Sequence, residues 1–95
     1  MFKKIRKMTK TQKRKEVIKR FLTFVNETFP QYEMDDCGDG GRITFFPING
    51  TSDDQIEFQR SRLDLCTLNW ASSQTKEDCL VMEGMLNLIQ KELED

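Results

Sequence analysis

The stretch from Thr9 to Pro30 limits the fold more than any other, because its pattern suits only an amphipathic helix, basic in its first half and apolar in its second. Val17, Ile18, Phe21, Leu22, Val25, Thr28 and Phe29 share one stripe of a 3.6-residue helix, and Lys19, Arg20, Thr23, Asn26 and Glu27 lie opposite. Pro30 has no N–H to donate and pushes Phe29 out of helical geometry, so the helix stops there. Its start is open to two readings. Thr9 and Gln12 fit a capping box, while Phe2, Ile5 and Met8 continue the helical spacing upstream.

After Pro30 the pattern turns extended. Tyr32 and Met34 alternate with polar neighbours and suggest a short strand, and Asp35 to Gly41 (DDCGDGG) suggests a turn or mobile loop. Arg42 to Ile48 is a strand whose Pro47 implies either a sheet edge or the strand's end. Asn49-Gly50 signals a turn, lengthened by Thr51 to Asp54. From Gln55 to Trp70 the apolar parity changes: in an unbroken strand Ile56 and Phe58 would share a face, Leu63 and Leu65 would take the other, and Leu68 and Trp70 would return to the first. A bulge or turn near Arg60 to Arg62 is therefore expected.

A second helix follows, with Ser72, Ser73 and Thr75 as candidate caps and Thr75 with Asp78 as a capping-box pattern. Its stripe is Cys79, Met82, Met85, Leu86, Ile89 and Leu93. Leu80 lies opposite, and with Val81 and Leu88 it widens the apolar arc beyond what one sheet needs, so a homodimer through this helix is an open expectation. The expected fold is α+β: an N-terminal helix, a three- to four-stranded antiparallel meander and a C-terminal helix, both helices on one sheet face. Residues 1–10 read as a basic arm or helix extension, and residues 11–95 as one small domain. The same element order occurs in double-stranded-RNA-binding domains, but there the final helix opens with basic residues, and Thr75-Lys76-Glu77-Asp78 is acidic.

The net charge of −1 hides a strong asymmetry. Residues 1–20 hold ten basic side chains against Glu16 alone, which leaves five basic and fifteen acidic ones for the remainder. Lys3, Lys4, Arg6, Lys7, Lys10, Lys13, Arg14 and Lys15 are thus the candidate contacts to a nucleic-acid backbone or an acidic partner surface. Lysine outnumbers arginine seven to three in that stretch, which suits general attraction better than base reading. The alternative is that the acidic body is the active surface. Asp35, Asp36, Asp39, Asp53, Asp54 and Glu57 would then present a nucleic-acid-like array to a basic groove, as small anti-defence inhibitors of phages and mobile elements do; the resemblance to these is one of size and charge.

No residue set supports catalysis, so the chain reads as a non-enzymatic interaction module with a protein partner and no cofactor. Cys37, Cys66 and Cys79 lack any CxxC pairing and the chain has no His, which argues against zinc and for reduced thiols. Asp35, Asp39 and Gly40 resemble the start of a calcium loop, but Cys37 takes a ligand position and Phe46 stands where the last carboxylate is needed. Ser73-Gln74-Thr75-Lys76 fits S-x-x-K only as a helix start. Phe24, Phe45, Phe46 and Trp70 could stack on bases, with core packing the simpler role for each. The first residues carry charge without a following apolar segment, and no run is long enough to span a membrane, so a reducing cytoplasmic setting is expected, of a host cell if the chain is a phage product.

Overall fold

The computed structural model describes residues 9–36, 41–48, 54–68 and 71–93. Along the chain it forms α1 (Lys10–Thr28), β1 (Tyr32–Asp36), β2 (Arg42–Pro47), β3 (Gln55–Gln59), β4 (Asp64–Leu68) and α2 (Ser73–Glu92). The strands make one antiparallel sheet in the order β1-β2-β3-β4, a meander without crossovers.

Local chemistry sets both ends of α1. The Thr9 hydroxyl accepts from the Gln12 N–H and the Gln12 side chain accepts from the Thr9 N–H, a complete capping box. Before Pro30, Phe29 leaves the helix at φ −123 and ψ 63. Phe2, Ile5 and Met8 lie outside the described residues.

Strand register decides which side chains meet the helices. Met34 lies opposite Phe45 and Phe45 opposite Ile56, while Ile43 lies opposite Phe58 and Phe58 opposite Leu65. These rows form one apolar face. Val17, Phe21 and Val25 of α1 and Cys79, Met82, Leu86 and Ile89 of α2 complete the core above it. Phe21 is fully buried, its ring centroid 4.7 Å from Phe58 and 6.3 Å from Phe45. Thr28 is exposed; Phe24, off the expected stripe, packs edge-on against Phe29 instead.

Several boundaries differ from the sequence reading. Asp35 and Asp36 belong to β1, because the ladder continues to Asp36 opposite Ile43. β2 is an inner strand, so Pro47 marks its end and not an edge. The β2–β3 ladder closes at Phe45 and Ile56, before the missing proline donor would be needed. Residues 60–63 make the expected turn between β3 and β4, with Leu63 at φ 53. That reversal returns Leu65 to the core opposite Phe58 and sends Leu68 to the other face, opposite Gln55, the inverse of the parity an unbroken strand would have. The Asn49-Gly50 turn and Trp70 lie outside the described residues.

At the start of α2 the cap is Ser72, whose hydroxyl accepts from the Thr75 N–H, and the Ser72 N–H donates to Asp54 at 2.6 Å. Thr75 and Asp78 are therefore not a capping box. Both are buried. Asp78 accepts from the Tyr32 hydroxyl at 2.7 Å and from the Gln74 amide at 2.9 Å, tying edge strand β1 to α2. Burial, then the bond to Asp78, pushes the Tyr32 hydroxyl up to about 12.

Because the folded value lies above the free one, this linkage stabilises the fold fully below pH ~10 and is lost as pH rises towards 12. Tyr32 is the sole tyrosine, so ultraviolet absorbance reads it directly. Little tyrosinate is expected at pH 10 in the folded chain, against about half in urea. Tyr32→Phe should cost about 1–3 kcal/mol in denaturant unfolding, since it leaves the Asp78 carboxylate short of a donor. Phe21→Ala should cost about 3–5 kcal/mol in the same measurement.

Candidate functional site

The core stripe of α1 runs Phe21, Val17, Arg14, Lys10 when followed towards the helix start. The first two are buried and the last two exposed. Lys10 and Arg14 continue the same line past the end of the core and, with Lys13, wall a hollow of about 280 Å³ whose other lining residues are Val17, Leu63 and Gln90. The cations on the core side of α1 thus converge on a depression with a partly apolar lining. Lys15 and Lys19 are exposed on the opposite side of the helix.

Leu63 completes the hollow through an unusual backbone. Its left-handed conformation is costly for a leucine, by roughly 1–2 kcal/mol. Its side chain packs against the core, which offsets that cost.

The first turn of α1 contains no acidic residue. A helix N-terminus carries a partial positive charge from its free N–H groups, and Lys10, Lys13 and Arg14 add to it where carboxylates would stabilise the helix. Arg20 pairs with Glu16 at 2.7 Å, one helical turn apart. Among the described residues Lys10, Lys13, Arg14, Lys15 and Lys19 have no carboxylate partner. Lys3, Lys4, Arg6 and Lys7 lie outside the described residues.

The acidic candidates are dispersed. Asp36 is held by Arg60 at 2.9 Å, and Asp54 accepts from the Ser72 N–H. Glu57 is buried on the sheet face away from the core, with Arg42 at 3.2 Å and the Gln59 amide at 2.9 Å. Asp35 is exposed and shares the row of Thr44 and Glu57. Asp39 and Asp53 lie outside the described residues. Of the aromatic candidates, Phe45 is fully buried and Phe46 is half-buried on the outer sheet face, as adjacent strand residues must be split.

Sequence reasoning missed Leu63 and Gln90, which reach the hollow only through folding. The turn residue carries no local signal for a left-handed leucine, and Gln90 lies far along the chain. Among the described residues, no group of three or more His, Cys, Asp or Glu side chains could hold a metal ion, and no helix is long and apolar enough to cross a membrane. No protein-family model, curated protein or solved structure matches this chain.

Cys66 is exposed and Cys79 buried. Partial shielding of its sulfur from water, with Glu57 and Asp64 nearby, raises the Cys66 thiol, and burial, with Glu83 next, pushes Cys79 up to about 11. In a Cys37→Ser background, a thiol reagent at pH 8 should label Cys66 slowly and Cys79 only as fast as the chain unfolds. Rapid labelling of both in the native state would contradict this arrangement.

Proposed function

We propose that this protein is a non-enzymatic interaction module that binds the phosphate backbone of nucleic acid through the first half of α1. The observation that carries the reading is that Lys10, Lys13 and Arg14 gather at the positive end of a helix with no acid in its first turn and no carboxylate partner among the described residues. That placement costs the free protein stability, and a bound phosphate would relieve it. Lys15 and Lys19 extend the positive surface around the helix. The prevalence of lysine and the lack of a bidentate arginine array favour contact without base reading. The acidic-mimic reading has less support, since Asp36, Asp54 and Glu57 are engaged within the fold.

The test is a fluorescence-anisotropy titration of the full chain with a labelled duplex and a labelled single strand across a salt series. With up to five phosphates neutralised by the described α1 cations, log K against log salt should slope by up to about −4.5 for a duplex. The Lys10→Glu/Lys13→Glu/Arg14→Glu variant should lose binding at low salt. It should also unfold later, because the reversals at Lys10 and Lys13 in the first turn each complement the helix dipole by about 0.3–1 kcal/mol. Absence of binding to either nucleic acid at low salt, or unchanged binding by the triple variant, would overturn the proposal.

A further inference from the structure

We propose that α2 is a self-association surface, pairing antiparallel with α2 of a second copy about a two-fold axis beside Gly84. The helix buries Thr75, Asp78, Cys79, Met82, Leu86 and Ile89 against the body. Directly opposite runs an outer stripe of Glu77, Leu80, Val81, Gly84, Leu88 and Lys91, every one exposed. Leu80 is 65% exposed, Val81 52% and Leu88 48%, an apolar strip on an otherwise polar side of the helix.

Gly84 sits at the centre of that stripe without a role in the monomer. A Cβ placed there would meet nothing within 4 Å. Its backbone is helical, a conformation any residue adopts, so glycine only weakens the helix relative to alanine. What glycine does permit is the close approach of a second backbone.

Charge selects both the occupant and its direction. Glu77 and Lys91 stand seven residues to either side of Gly84, on the same stripe, and neither pairs with a described residue. An antiparallel second copy centred on Gly84 brings each Glu77 level with Lys91 of the other chain, and Leu80 level with the other Leu88. A parallel pair would set Glu77 against Glu77 and Lys91 against Lys91. The stripe is thus complementary to its own reverse.

The test is sedimentation equilibrium on the full chain, without nucleic acid, so that its outcome is independent of the phosphate-binding surface. Wild type should show a reversible monomer–dimer equilibrium with a micromolar Kd. Glu77→Lys and Lys91→Glu should each weaken it about tenfold or more, since each places like charges together twice in the dimer. An equimolar mixture of the two variants should recover the wild-type affinity, because every such contact in the mixed dimer is again lysine against glutamate. Gly84→Leu should be monomeric with an unchanged circular dichroism spectrum. A monomer at all concentrations up to millimolar would overturn the proposal and leave the strip to another protein. A mixture no stronger than its components, or a dimer that survives Leu80→Glu/Leu88→Glu, would overturn it as well.

Discussion

The structure depends on one contact, the Phe21 ring against Phe45 and Phe58. It fixes the middle of α1 over the two inner strands, and the rest of the helix is placed by its 1.5 Å rise. Towards the C-terminus, Val25 and Phe29 find core, and Phe29 leads through an edge-on contact to Tyr32. Towards the N-terminus, Val17 is the last residue with a buried partner surface, and the positions that continue its stripe are cations. Where the core ends therefore determines where the positive hollow begins.

The two signs of charge are treated differently by the fold. Among the described residues the body absorbs several of its carboxylates: Glu57 into an ion pair on the sheet, Asp36 onto Arg60, Asp54 at the start of α2, and Asp78 into the bond with Tyr32. The cations of α1 receive no such treatment beyond Arg20. Lys10 and Lys13 lie in the first turn, where the helix's own dipole opposes them, and Arg14 follows directly. A sequence shaped only for stability would place acids there, so this arrangement is the strongest sign of an external anionic partner.

Features set within a few residues were legible in the sequence. Thr9 with Gln12, Pro30 after Phe29, and the parity change between Phe58 and Leu65 each report a local rule, and each gave its cap, stop or turn. The basic stretch was legible as charge but not as geometry. Helical spacing alone does not say that burial along the core stripe stops at Val17 and leaves Lys10 and Arg14 beyond it, or that Leu63 and Gln90 close the hollow. The roles of Asp54, Thr75 and Asp78 were hidden for the same reason. Tyr32 and Asp78 are 46 residues apart, and their bond forms only once the whole meander and α2, which packs over β3 and β4, are in place. Of the two readings Pro47 allowed, an edge or the strand's end, the second holds, because a proline is tolerated wherever the neighbouring ladder has ended.

The central claim is that the uncompensated positive end of α1 is the surface a polyanion meets. Amide chemical-shift mapping of the isotope-labelled chain, titrated at low salt with a short duplex, tests it residue by residue. The account expects the largest changes along Lys10 to Lys19 and at Leu63 and Gln90, disappearing as salt is added. Changes centred on Glu33, Asp35 and Cys66 of the outer sheet face, or none anywhere, would contradict it.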